Sequence, residues 1–209
     1  MATDTTIVPN LLVQGNITYA GTISPAIART SLALDSLQPV PIQIHEWRVW
    51  DAYATTSPGT SASDDLGVYG TALGAIPYLG TSDLKSAGAT TRYARVIKQV
   101  PFEYQATEAL QIRFSAGMKT AVADTSCTLN VDVRLAARDG TESATLYAGA
   151  AVTMNSLTAS EKSFTVTAAT LTPGCLLDIR VAIVCTDAAG GSAVIAALYA
   201  CELMCAVRG

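Results

Sequence analysis

The strongest constraint on the fold is a regular alternation of apolar and polar residues in the C-terminal half of the chain. The alternation runs through residues 129–135 (LNVDVRL), 163–167 (SFTVT) and 177–183 (LDIRVAI). Successive side chains of a β-strand point to opposite faces, so a period of two predicts strands with one face in a core. Turn residues at 172–174 and 187–191 bound these segments.

Weaker strand patterns fill most of the remaining sequence. They cover residues 42–50, 68–69, 93–100 and 110–114. Residues 192–207 suit a helix or a strand, and we favour a strand because the Gly190–Gly191 turn returns the chain directly. About eight short strands without repeated helix–strand alternation predict an all-β, jelly-roll-like β-sandwich. The long Ser/Thr/Gly/Pro-rich connection at 54–91 is typical of a functional or interface-forming loop.

Residues 1–40 differ from the rest of the chain. Residues 6–8 and 11–23 space glycines among β-formers with almost no charge, and Pro39 and Pro41 mark the entry to the globular part. This segment cannot bury enough apolar area to order by itself. We predict an extended N-terminal arm at 1–40 that orders against a partner or other copies, and a β-sandwich domain at 41–209.

The balance of charges argues against several partners. Thirteen basic and seventeen acidic residues give a net charge of −4, and no Lys/Arg cluster stands out, so we expect no nucleic-acid binding.

The longest apolar run, at 193–201, is shorter than the ~20 residues of a spanning helix, and we expect no membrane contact. No basic residue precedes Arg29, so we expect no signal peptide and synthesis in a host cytoplasm. Charged residues are only 14% of the chain, which favours surfaces buried between subunits.

The residues that catalysis usually needs are scarce. The only histidine is His45, and no G-x-S-x-G motif or phosphate-binding loop is present. A two-carboxylate hydrolase stays open by residue count, but Asp83, Asp124 and Asp187 stand at turn positions, where aspartate usually caps the backbone. We therefore predict a protein that is not an enzyme and that needs no cofactor.

The five cysteines form no CxxC pair and most lie within apolar runs. We expect reduced cysteines that act as small core residues, and no metal site. Asp64, Asp65 and Asp83 resemble no calcium-loop pattern, so a solvated loop is favoured there.

The densest aromatic group is formed by Trp47, Trp50 and Tyr53. On a strand the two tryptophans would point to opposite faces, which predicts core packing for one and a subunit or loop contact for the other. Arg92 and Arg95 are predicted to form a polar interface patch.

Several segments together resemble virion proteins of tailed bacteriophages, over most of residues 40–209. They are residues 47–52 (WRVWDA), 66–70 (LGVYG), 83–85 (DLK), 91–95 (TRYAR), 116–118 (AGM), 122–124 (VAD) and 177–180 (LDIR). The resemblance is to capsid decoration or cement proteins, or to short head fibres. It implies a trimeric β-sandwich with an N-terminal arm, located on the outer surface of the capsid.

The prediction that follows is a non-enzymatic structural virion protein. It would stabilise the phage head by binding between capsid subunits, with the major capsid protein and two further copies of itself as partners. The alternative is a fibre module that binds a receptor or a host glycan, through an aromatic or acidic loop site within residues 54–91. The predicted interface residues are Ile7, Leu11, Leu12, Val13, Ile17, Tyr19, Ile23, Trp50, Arg92 and Arg95.

Overall fold

Eleven β-strands and one short 3₁₀ turn make up the regular structure of the described residues. A computed structural model describes residues 36–59, 61, 63–70, 75–106, 108–136, 141–167, 171–188 and 191–207. The strands are β1 (Ser36–Pro41), β2 (Gly67–Tyr69), β3 (Tyr78–Gly80), β4 (Ser86–Gln99), β5 (Leu110–Met118), β6 (Ser126–Ala136), β7 (Glu142–Ala148), β8 (Val152–Thr153), β9 (Ser160–Val166), β10 (Leu176–Asp187) and β11 (Ala196–Val207). Within these ranges no helix is long and apolar enough to cross a membrane.

The strands form two antiparallel sheets. One sheet has the order β2-β3-β11-β5-β9, with β1 also paired to β11. The other has the order β4-β10-β6-β7, with β8 also paired to β6. The predicted all-β, jelly-roll-like β-sandwich is confirmed, and residues 192–207 supply strand β11 as favoured.

The core lies between the sheets and follows the predicted alternation. Every second residue is buried in β6 as far as Val133 and in β10 from Leu177 onward, while the residues between them are partly exposed or polar. The six-stranded sheet contributes Phe114 and other residues to the same cluster. Burying one such aliphatic or aromatic side chain contributes roughly 1.5–3 kcal/mol, so this alternation is the main determinant of the sandwich.

The predicted strand at 42–50 is wrong. Residues Ile44–Glu46 form a 3₁₀ turn, in which the Glu46 carboxylate accepts a hydrogen bond of 3.1 Å from the Gln43 N–H. Ile42 and Trp47 are both buried, although they would face opposite sides of a continuous strand. The turn removes this conflict because it rotates the chain between the two residues, and the competing demand of the core therefore overrides the local alternation.

The prediction of reduced cysteines is wrong for two of the five. Cys127 and Cys185 are directly opposite each other in the register of β6 and β10, and they form a disulfide across these strands. Cys175, Cys201 and Cys205 are free thiols, and the last two are buried as predicted. Burial raises the pKa of the Cys205 thiol to about 12, which leaves this residue an inert apolar side chain.

Most of the predicted N-terminal arm lies outside the described residues. Residues 36–40 of the predicted arm belong to β1, which pairs with residues 203–207 of β11. The boundary at residue 40 and the assembly role of the arm stay predictions.

Candidate functional site

The outer face of the five-stranded sheet carries charged side chains in a checkerboard. In the register of β10 against β6, Arg180 lies opposite Asp132, and Asp178 lies opposite Arg134. On its other side, Arg180 lies opposite Arg95 of β4. Partners in an antiparallel register share a face, so all five side chains belong to one surface.

Asp178 is the centre of this charge network. Its Oδ1 accepts a hydrogen bond of 2.7 Å from Arg95 Nε, and its Oδ2 accepts bonds of 3.0 and 2.7 Å from Arg180 Nε and Nη2. The Asp178 side chain is only 1% exposed, whereas the two arginine side chains remain 26% and 22% exposed. A buried carboxylate is tolerated only when it is paired, so the two guanidinium groups keep this charge in the sheet.

A groove of about 610 Å³ lies on the same face. Side chains of β6 and β10 line it, and Ala182 of β10 lies between Tyr93 of β4 and Asn130 of β6 in the strand register. A methyl group at this position leaves space that a larger side chain would fill. Trp50 and Tyr93 also line the groove. Small residues at and after the end of β7, including Gly149, complete the lining.

Trp50 is held in place by contacts with two parts of the chain. Its ring centroid lies 4.9 Å from that of Tyr93, and its indole Nε1–H donates a hydrogen bond of 3.1 Å to Asp64 Oδ2. The preceding segment pairs with the edge of β4, through hydrogen bonds of 2.8 and 3.1 Å between the backbones of Arg48 and Arg95. The tryptophan is therefore positioned before any ligand arrives.

Acidic residues surround the Trp50 contact. Burial raises the pKa of Asp65 above its ordinary value, and the negative charges of Asp64 and Asp51 raise it further, while Arg92 opposes the shift. The carboxylates of Asp64 and Asp51 thus contribute to the shift, although burial is its largest cause.

Two oxygen atoms of groove-lining residues lack hydrogen-bond donors. Asn130 Oδ1 and Asp132 Oδ1 are buried and have no hydrogen-bond partner among the described residues. The two residues are separated by one position on β6 and therefore share a face. An unsatisfied buried acceptor costs about 1–3 kcal/mol, so a hydrogen-bond donor that reached either oxygen would be stabilising.

The predicted interface residues fall into two groups. Seven of them lie outside the described residues: Ile7, Leu11, Leu12, Val13, Ile17, Tyr19 and Ile23. Trp50 lines the groove and makes the predicted loop contact with Asp64, and Arg95 lies opposite the groove residue Arg180 and 5.6 Å from the ring of Tyr53. Arg92 instead lies opposite the core residue Ile183, on the other face of β4. Trp47 packs in the core as expected for the other tryptophan. Subunit contacts of these residues stay predictions.

The aspartates at turns bind backbone groups. Asp83 Oδ1 accepts hydrogen bonds from backbone N–H groups of residues 85 and 194, at 3.1 and 2.9 Å. Asp124 Oδ1 accepts one from residue 188 at 3.0 Å, which lowers the pKa of Asp124. Asp187 in turn accepts one from the Asp124 N–H at 2.9 Å. These contacts match the expected capping role of the three residues.

Metal-ligating groups do not converge in the described part of the chain. Over the described ranges, no group of three or more His, Cys, Asp or Glu side chains is arranged to hold a metal ion. The carboxylates of the checkerboard, Asp132 and Asp178, are each bonded to an arginine. That arrangement holds a sheet face together, and the absence of enzymatic activity stays a prediction.

The groove differs from the site that the sequence favoured for glycan binding. The sequence predicts that site within residues 54–91, which contribute Asp64 as the partner of Trp50. The groove itself is lined by outward residues of β6 and β10, such as Asn130 and Arg180. The polar half of each alternating segment was the available signal, but the sequence did not show that these strands are neighbours.

Comparisons with known proteins find structures of similar architecture, but they do not identify a family. Neither a protein-family model nor a curated protein sequence matches the chain. The xylan-binding module CBM15 overlaps 83% of this chain and 100% of its own, at 11% identity and a TM-score of 0.42. The CBM22-1 xylan-binding domain from Paenibacillus barcinonensis Xyn10C overlaps 85% and 100%, at 12% identity and a TM-score of 0.42. The enzymatically active domain of bacteriophage CBA120 tailspike protein 4 overlaps 78% and 20%, at 14% identity and a TM-score of 0.37.

Carbohydrate-binding modules and viral proteins are thus both among the similar structures. The similarity is too low to transfer a ligand or a residue role. The capsid decoration type and the trimer remain predictions, since neither the comparisons nor the described residues support them.

Proposed function

We propose that this protein is a glycan-binding module and that the groove on the outer face of the five-stranded sheet is its binding site. The observation that carries the proposal is that one groove is lined both by aromatic residues, Trp50 and Tyr93, and by polar residues such as Asn130 and Asp132. This is the chemistry that a sugar ring requires, because a pyranose has apolar C–H faces and a rim of hydroxyl groups.

The aromatic side would contact the apolar face of a sugar. Trp50 is only partly buried, and its polar N–H group is already bonded to Asp64. The ring is therefore available as an apolar surface, and the fixed contacts on both sides reduce the entropy that binding would cost.

The size of the groove suits a short oligosaccharide segment. Its volume of about 610 Å³ lies within the ~300–1,000 Å³ typical of small-molecule sites. Polar side chains on rigid central strands orient a ligand better than side chains on loops. The protein would hold a glycan without cleaving it.

The proposal is the alternative that the sequence left open for a phage fibre. Combined with the resemblance to virion proteins, the proposal is that the module attaches the particle to a glycan on the host surface. We place it on the outside of the virion on this basis.

A glycan array tests the proposal directly. We expect saturable binding by the wild-type protein and a loss of at least tenfold in affinity for Trp50→Ala, equivalent to about 1.4 kcal/mol. Tyr199→Ala is the matched control, because Tyr199 is a half-buried aromatic residue on the other sheet, packed against Tyr78. Equal binding by wild type and Trp50→Ala, or no binding to any glycan, would contradict the proposal.

A further inference from the structure

The polar groups of the groove differ in whether they already have partners. Resting on the proposed function, we infer that the groove selects neutral glycans, which donate hydrogen bonds through hydroxyl groups, over glycans that carry carboxylates. The inference follows from the positions of the acidic groups and from the partners of the basic groups around the site.

The basic groups of the groove face are held by acidic partners. Arg95 and Arg180 both donate to Asp178, at distances of 2.7 to 3.0 Å. Arg134 Nε donates to Asp132 Oδ2 at 3.0 Å. A carboxylated sugar would have to compete with these bonds for a guanidinium, and breaking the Asp178 pairs would leave a buried carboxylate with fewer partners.

The unsatisfied groups of the groove are acceptors. Asn130 Oδ1 and Asp132 Oδ1 have no donor among the described residues. The two residues are separated by one position on β6 and point to the same face of the sheet, on which the groove lies. Hydroxyl groups supply the donors that these oxygens need, whereas a carboxylate would present further acceptors.

The acidic residues beside Trp50 also disfavour a ligand that carries carboxylates. Asp64 accepts a hydrogen bond from Trp50, and the carboxylates of Asp64 and Asp51 add to the effect of burial in raising the pKa of Asp65. A carboxylated ligand would approach these groups as well as Asp132. The carboxylates of the ligand and of the protein would repel each other, and this repulsion would weaken as salt is added.

Matched oligosaccharides separate charge from sugar shape. The probes are hexasaccharides of glucose, galactose and mannose, each compared with the uronate of the same configuration, by calorimetry at low salt. We expect the best neutral hexasaccharide to bind at least tenfold tighter than its uronate, with a smaller ratio at high salt. A uronate that binds as tightly as its neutral counterpart would overturn the inference and leave the proposed function standing. Binding of none of the probes, together with a blank glycan array, would overturn both.

Two variants assign the effect to the groove. Asp132→Asn removes a charge and keeps an amide oxygen, so we expect the ratio of neutral to uronate affinity to fall at least threefold. Asn130→Ala removes an acceptor, so we expect weaker binding of the neutral probe. Thermal unfolding of each variant checks that it is folded.

A glucosamine hexasaccharide adds one further comparison. An ammonium group would donate to the same oxygens and be attracted to Asp132. We therefore expect the glucosamine hexasaccharide to bind at least as tightly as the glucose hexasaccharide, and weaker binding would contradict the acceptor role of these oxygens.

Discussion

Replacing Asp178 with asparagine tests whether the charge network stabilises the sheet. Asp178 makes three charge-assisted hydrogen bonds, one to Arg95 and two to Arg180, from a side chain that is 1% exposed. An amide oxygen still accepts from one arginine, but the amide NH₂ group faces the other. The loss is therefore at least one charge-assisted bond, worth about 1.5–3 kcal/mol.

Rehydration limits this cost, because the arginine side chains remain 26% and 22% exposed. We therefore expect Asp178→Asn to lower the free energy of unfolding by about 2–3 kcal/mol. Chemical denaturation measures this change, provided that the slope with denaturant stays constant.

Asp132→Asn is the matched control for this measurement. The Asp132–Arg134 pair is on the same sheet, but both side chains are 31% exposed. Exposed pairs contribute about 0–1 kcal/mol, so we expect a loss in that range for the control. Equal small losses in both variants would refute the reasoning, since they would show that burial does not make Asp178 dependent on its partners.

Three further predictions concern stability. Reduction of the Cys127–Cys185 disulfide, whose sulfurs join positions 58 residues apart, should lower the free energy of unfolding by about 4 kcal/mol, measured as a fall in the melting temperature with reductant. Gly70→Ala should destabilise the fold by about 1–3 kcal/mol, because Gly70 has φ +79° and an added Cβ would lie 2.4 Å from a backbone oxygen; an unchanged melting temperature would contradict this. Burial alone would raise the pKa of Glu46, but the Lys98 ammonium at 2.8 Å and a backbone N–H lower it below its usual 4.5. The folded-state pKa is the lower one, so this stability is present above pH 4.5 and is lost as the pH falls through the folded value. As the pH falls through the folded-state pKa, the Glu46→Gln variant should therefore lose less free energy of unfolding than wild type. Denaturation series at several pH values measure this difference.

The sequence predicted the strands whose burial alternates. Residues 129–135 and 177–183 lie within β6 and β10, because one face of each strand meets the core and the other does not. The same reasoning failed at 42–50, where Ile42 and Trp47 both reach the core through a 3₁₀ turn. Alternation records which residues are apolar, and it does not record whether the chain turns between them.

The groove could not be predicted in the same way. Asn130 and Arg180 are about fifty positions apart and are brought together by the pairing of β6 with β10. Trp50 reaches the same face through a loop whose position depends on Asp64 and on the edge of β4. A single sequence supplies the residues of such a site, but non-local strand pairing decides which of them meet.

The disulfide illustrates the same limit. Cys127 and Cys185 each lie in an apolar run, which favoured a reduced core residue for both. Only the register of β6 against β10 places them directly opposite each other. A shift of one residue in that register would have moved the two thiols to opposite faces.

The most direct test of the central claim is an NMR titration of the isotopically labelled protein with the glycan that binds best on the array. We predict that amide shifts concentrate at Asn130, Asp132 and Ala182 and at the Trp50 indole N–H, and that they saturate with a single affinity. Shifts confined to the other sheet, for example around Tyr199, or to the 54–91 loop without the groove, would contradict a binding site on the five-stranded sheet.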